Sequence, residues 1–151
     1  MTSTVTPSAA TGVRIPEAVR ARLIARIRAD RPEITTELAD RIVSGTAVFL
    51  TVAAANPEAP MTPSALVDVG WHAWVLHTVD YAKFCDRIGR FVHHVPDTMP
   101  RTMAHGRVGV TSTVEVIKAA GYPVDAELWA VAAGDCDSKC TQCYAGCSDS
   151  P

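Results

Sequence analysis

The sequence predicts an all-α fold, a bundle of about four helices over residues 14–132, followed by a cysteine-rich, irregular tail. Apolar residues recur every three or four positions in four separate segments, and proline or glycine stands at the segment ends. No pair of alternating segments suggests a strand pairing. With 48% hydrophobic and 20% charged residues, the 151-residue chain has the composition and length of one globular domain. Helices packed around a single core are therefore expected.

Pro32 separates the first two predicted helices, which cover residues 16–30 and about 33–55. Proline is accepted in the first turn of a helix and ends a helix elsewhere. Each segment carries one apolar stripe, and Gly45 on the second stripe indicates a close contact with another helix. The stripes consist of Val19, Leu23, Ile24 and Ile27 in the first helix, and Ile34, Leu38, Ile42, Phe49 and Val52 in the second.

The third predicted helix runs over residues 63–88, with Thr62-Pro63 as its cap and first turn and Gly89 after its end. At 100° per residue its side chains divide into an apolar sector and a mixed face. The apolar sector holds Leu66, Trp74, His77, Tyr81, Phe84, Cys85 and Ile88. The mixed face holds Asp68, His72, Val75, Val79 and Asp86.

Residues 90–97 are predicted to be extended or irregular. A fourth helix over residues 100–120 follows, weakened by two glycines and stopped by Gly121. Asp125 is placed to cap a last short turn that carries Leu128 and Trp129. We therefore expect a loose arm over residues 1–13, a helical domain over 14–132 and a separate tail over 133–151.

The charge pattern argues against nucleic acid or membrane as a partner. The formal net charge is −2, and the arginine-rich first third is interleaved with acidic residues, which is typical of an ion-paired helix surface. The longest apolar stretch, residues 47–55, is too short to cross a bilayer, and the N-terminal residues resemble no signal segment. The cytoplasm, where thiols stay reduced, is the expected compartment.

Residues 67–97 carry the most specific pattern in the chain: Val-Asp-x-x-Trp-His, then Thr-x-x-Tyr-x-x-Phe-Cys, then Gly-x-Phe-x-His-His-x-Pro. This string resembles small bacterial members of the glycine-rich-domain-containing-protein-like family. Its carriers are Asp68, Trp71, His72, Thr78, Tyr81, Phe84, Cys85, Gly89, Phe91, His93, His94 and Pro96. The glycine-rich segment of that family is absent, since only 9 glycines are scattered along the chain. The resemblance implies a helical domain and no established reaction.

Two interpretations of this motif remain open beside a weak catalytic one. His72, Cys85, His93 and His94 are of the residue types that zinc prefers, with Asp68 suited to orient His72. On a straight helix, however, His72 and Cys85 would lie about 140° and roughly 20 Å apart, so they could not share one ion. In the other interpretation Trp71, Tyr81, Phe84 and Cys85 are core residues and Asp68–His72 is a polar pair.

Catalysis has the least support. Cys85 and His94 could form a nucleophile and base, but a cysteine on an apolar stripe is usually inert. For His77, which is not part of the motif, a hydrogen-bonded core histidine is expected.

Four of the five cysteines lie in the tail with the spacing C-x3-C-x2-C-x3-C, at Cys136, Cys140, Cys143 and Cys147. Four thiolates can close a zinc shell, and the metal would supply folding energy that this polar segment lacks. An iron–sulfur cluster is favoured less, because the ferredoxin run has a shorter first gap and a proline after the last cysteine.

Two disulfides, a substrate segment for a peptide-modifying enzyme beginning near Gly134, and a flexible thiol tail are the other interpretations. The function predicted is a non-catalytic domain that binds zinc through its tail. A ribosomal-peptide-type precursor is the first alternative, and a protein-interaction scaffold is the second.

Overall fold

The computed structural model describes residues 13–95 and 103–130, with the backbone alone over 103–108. These residues form five helices and no strand, which confirms the all-α class. The helices are α1 (Glu17–Asp30), α2 (Thr36–Ala55), α3 (Ala65–Leu76), α4 (Thr78–Ile88) and α5 (Met103–Ala119). The predicted arm, apart from Val13, and the predicted tail lie outside the described residues.

Side-chain caps set the starts of two helices, and both differ from the predicted starts. The Thr35 hydroxyl accepts a hydrogen bond from the Leu38 amide at 3.1 Å, so α2 begins at Thr36 rather than at residue 33. The Ser64 hydroxyl accepts from the Val67 amide at 3.2 Å and caps α3. Serine and threonine satisfy the free amides of a first turn in this way. The cap predicted at Thr62 is therefore wrong.

The single helix predicted over residues 63–88 is also wrong, because the chain breaks at His77 into α3 and α4. His77 has φ −95° and ψ 70°, and its amide donates to the carbonyl of Trp74 at 2.9 Å instead of to Ala73. The Ala73 carbonyl is satisfied by the imidazole of His77, whose Nδ1 lies 2.9 Å from it. No proline or glycine marks this break, so the pattern could not reveal it. His77 is half-buried and hydrogen-bonded, close to its predicted role.

Helix α2 forms the centre of the core, where α1, α3, α4 and α5 all contact it. Its apolar stripe is buried as predicted, with Ile42, Phe49 and Val52 almost fully covered. Residues 47–55 were expected to be too short to cross a bilayer, but α2 as a whole has 20 residues and contains an 18-residue stretch with a mean hydropathy of 1.4, so it is long and apolar enough to do so. Half of this stretch is buried inside the fold, and a central core helix has the same composition.

Ion pairs cover the α1 surface, as the interleaved charges predicted. Arg20 pairs with Asp40 at 2.6 Å, and Arg22 pairs with Asp80 at 2.9 Å. Further pairs join Arg26 to Asp30 and Arg31 to Glu33. The first two pairs link α1 to α2 and to α4, so these charges also tie helices together.

The last described turn, residues 125–129, is anchored to α2 because two of its carboxylates bond the same arginine of that helix. Arg41 donates to both carboxylate oxygens of Asp125, at 2.8 and 2.9 Å, and to Glu127 at 2.8 Å. The guanidinium holds the pKa of Asp125 below its ordinary value through these hydrogen bonds. Asp125 also accepts from the Glu127 amide, and Leu128 and Trp129 are buried. The predicted Asp125 cap is confirmed. A Cβ atom at Gly45 would lie 2.7 Å from Leu128 of this turn and 3.9 Å from Val67 of α3, so the tight contact is with the turn and the helix contact is an ordinary one.

Candidate functional site

A chain of hydrogen bonds fastens residues 91–95, named here the return segment, onto α3 and α4. The Trp71 indole Nε1 donates to the Tyr81 hydroxyl at 2.9 Å, and that hydroxyl donates to the Val92 carbonyl. The Phe91 ring packs edge-on against Tyr81, with centroids 5.3 Å apart. Trp71 and Tyr81 are buried, at 8% and 2% exposure. Three aromatic residues of the motif thus hold the return segment in place.

Asp68 bonds His94 and not His72, which corrects the predicted pair. Its Oδ1 lies 3.0 Å from His94 Nε2, and the His94 ring meets the Trp71 ring edge-on at 4.6 Å. His72 is exposed, with its ring centroid 6.0 Å from that of His94. Asp68 and His72 share the exposed face of α3, as four-residue spacing requires. The return segment lays His94 across this face, a tertiary contact that helix periodicity does not contain.

Cys85 lies in the core beneath Tyr81, at 1% exposure. Burial of the Tyr81 phenol raises its pKa, and the neighbouring Cys85 raises it further, against an opposing effect of the Trp71 hydrogen bond. Trp74 and Phe84 complete this cluster, with ring centroids 4.3 Å apart. The residues predicted as core within the motif are therefore core residues, Cys85 among them.

The raised pKa of Tyr81 predicts an alkaline loss of stability. The folded state keeps the phenol protonated, while the unfolded chain ionises near the ordinary value of 10.0. The contribution of Tyr81 to the free energy of unfolding is thus fully present below pH 10 and falls as the pH rises above it. Denaturant unfolding of the native protein and of Tyr81→Phe on either side of that pH measures the effect. The loss should be smaller in Tyr81→Phe, and equal losses would contradict the prediction.

The four weaker metal candidates lie in three different surroundings. His72 and His94 approach each other on α3, whereas Cys85 lies in the core. His93 packs against Phe91, at 4.7 Å between ring centroids, and lines a cleft below the return segment. Among the side chains of residues 13–95 and 109–130, no three of His, Cys, Asp or Glu are placed to hold one metal ion. The four tail cysteines lie outside the described residues.

Two contributions to this site were missed by the sequence patterns. The Val92 carbonyl accepts the Tyr81 hydrogen bond, and Arg90 borders the cleft beside His93. A backbone acceptor leaves no trace in residue types. Arg90 occupies one of the unspecified positions of the Gly-x-Phe-x-His-His-x-Pro string, so the string gave no reason to select it.

The fold and the site together define an all-α domain. Its aromatic and histidine motif fastens the return segment to α3 and α4. A family model described as UCP032817-like matches residues 16–116, more than half of the chain. The chain therefore belongs to the UCP032817-like family. The matched region begins just before α1 and ends within α5. No similar curated protein and no similar solved structure was found.

Proposed function

We propose that this chain is a non-catalytic cytoplasmic domain that binds a transition metal, zinc above iron, through Cys136, Cys140, Cys143 and Cys147. The observation that carries the proposal is their spacing, four cysteines within twelve residues. In structural sites, zinc prefers thiolate sulfur and is coordinated by four protein ligands. In a short polar segment the metal itself supplies the free energy that orders the ligands.

The described geometry supports the tail over the central motif as the metal site. Asp68 bonds Nε2 of His94, as a carboxylate does when it orients a ligating histidine, but among the other central candidates only His72 lies near that ring, at 6.0 Å between centroids. Cys85, at 1% exposure, would have to leave an aromatic core to reach an ion. Of the central candidates, only His72 and His93 are exposed, and His93 lies with Phe91 rather than with His72. A second site in the motif would require rearrangement of this packing.

The last described turn before the tail is anchored to the bundle. Leu128 and Trp129 are 2% and 7% exposed, and Arg41 clamps the turn from α2. Cys136 follows Trp129 by seven positions in the sequence. Metal binding in the tail therefore needs no change in the helical core, and we expect the folded bundle to survive removal of the metal.

Elemental analysis of the full-length protein, purified without oxygen or an affinity tag, tests the proposal. We expect about one zinc per chain, and loss of that zinc in the double variant Cys140→Ser/Cys143→Ser. Cys85→Ala is the matched control, because it removes the buried thiol and leaves the tail complete. Bound zinc should also protect four thiols from alkylation. Protein without zinc or iron, whose tail thiols react freely after zinc is added, would overturn the proposal.

The alternative functions give different results. A peptide precursor should change in intact mass only when it is co-expressed with its genomic neighbours, and it should be cleaved near Gly134. A protein-interaction scaffold should keep its helical content and its partner after deletion of residues 135–151.

Membership of the glycine-rich-domain-containing-protein-like family is proposed from the motif over residues 67–97, where Asp68, Trp71, Tyr81 and His94 have structural roles.

A further inference from the structure

A cleft of about 270 Å³ lies between the C-terminal end of α2 and the chain that follows α4. Phe49, Trp71 and Phe91 are among its lining residues, and Phe91 is by far the most exposed of the three. Arg90 and His93 line the cleft on the side of the chain that follows α4. At roughly 30 Å³ per water molecule, this volume holds about nine waters. A small molecule with one ring or a short aliphatic chain is of this size.

The polar groups of the cleft are cationic or neutral. Arg90 and His93 are exposed, and no aspartate or glutamate is among the residues that line the cleft. Within the part of the chain that the structure describes, Arg90 forms no ion pair, unlike the paired arginines of α1. The planar guanidinium group of an arginine can donate two parallel hydrogen bonds to the two oxygens of a carboxylate. An imidazole N–H in the same cleft can donate a further one.

The Phe91 ring beside these groups contacts Tyr81 and is otherwise only partly covered by the fold. Phe91 is 47% exposed although it is a large apolar side chain, and His93 packs on it rather than on the core. The hydrogen bonds that fasten the return segment use the Val92 carbonyl and the His94 side chain, and one face of contact between Phe91 and Tyr81 adds to them. The exposed part of the Phe91 ring and the His93 side chain, at alternate positions, remain available to a ligand in the cleft.

We propose that this cleft binds a small apolar carboxylate, with Arg90 and His93 on the carboxylate and the apolar body against Phe91 and Trp71. Small-molecule sites commonly combine an aromatic wall with a few convergent polar groups in this manner. The proposal is independent of the tail, since its residues all lie between α2 and the return segment.

Titration of the full-length protein with benzoate, followed by NMR chemical shifts, tests the proposal. Benzoate should bind at millimolar concentration and shift signals of the cleft residues. Arg90→Gln should weaken binding about tenfold or more, which corresponds to the loss of a charged hydrogen bond. Ala53→Leu should also abolish binding, because Ala53 lines the cleft and a larger side chain would fill it.

The controls separate the cleft from general effects of charge and size. Lys83→Gln and Ala82→Leu make the same kinds of change at exposed positions of α4 that do not line the cleft, and both should bind benzoate normally. Benzamide, which keeps the ring and lacks the charge, should bind at least about tenfold more weakly. Absence of benzoate shifts, equal binding of benzamide, or unchanged binding in Arg90→Gln and Ala53→Leu would each overturn the proposal.

Discussion

Replacing Trp71 with alanine should lower the free energy of unfolding by about 3–5 kcal/mol, the usual cost of truncating a buried tryptophan. The indole is 8% exposed and packs on Phe49, with centroids 5.3 Å apart, and on His94. Its Nε1 also supplies the hydrogen bond that positions the Tyr81 hydroxyl. Truncation therefore removes both core volume and the support of the return segment.

Denaturant unfolding monitored by circular dichroism measures this loss, and the NMR chemical shifts of Val92 and His94 monitor the return segment. Asp68→Asn is the matched comparison, because it weakens the contact to His94 without opening the core. The Asp68 side chain is 52% exposed, so this variant should cost only about 0–1 kcal/mol. A Trp71→Ala variant that is no less stable than Asp68→Asn would contradict the proposed role of the indole.

Replacing Gly70 with alanine should destabilise the packing of α3 on α2 by about 1–3 kcal/mol or more. A Cβ atom at this position would clash with Thr46 Oγ1 and would lie 2.8 Å from Ile42 Cγ2. Thr46 cannot turn away without loss, since its hydroxyl, fully buried, lies within hydrogen-bonding distance of the Ile42 and Val67 carbonyls. The higher helix propensity of alanine, about 1 kcal/mol, offsets only part of this cost.

Thermal or denaturant unfolding of Gly70→Ala, compared with Gly45→Ala, checks this prediction. At Gly45 the nearest atom to a new Cβ is Leu128 Cδ1, at 2.7 Å, and this is the flexible end of a side chain. Gly45→Ala should therefore cost less than Gly70→Ala. The double variant Thr46→Ala/Gly70→Ala should recover part of the packing loss. Equal stability of Gly70→Ala and the native protein would exclude a tight contact there.

The sequence was sufficient for the features that depend on periodicity and on local end signals. The buried stripes of α1 and α2, the core positions of Tyr81 and Phe84, and the Asp125 cap are confirmed. Each follows from side-chain direction on a helix or from the unsatisfied amides at a helix start. These effects act over a few residues, which is why a single sequence reveals them.

The features that were missed depend on contacts between distant residues or on a side chain that replaces a backbone donor. The break at His77 rests on an imidazole that bonds the Ala73 carbonyl. The Asp68–His94 pair joins residues 26 positions apart, so it exists only after the return segment has folded back. The motif correctly indicated that these residue types act together, but not which histidine meets the carboxylate.

The clamp between Arg41 and the last described turn also limits how far the tail can reach. Six peptide units separate Ala130 from Cys136, and a fully extended chain of that length spans about 20 Å. Whatever path residues 131–136 take, the first tail cysteine therefore lies within about 20 Å of Ala130. A connection this short gives an encounter between the first tail cysteine and the bundle a high effective concentration. A free peptide of the same sequence would lack this advantage.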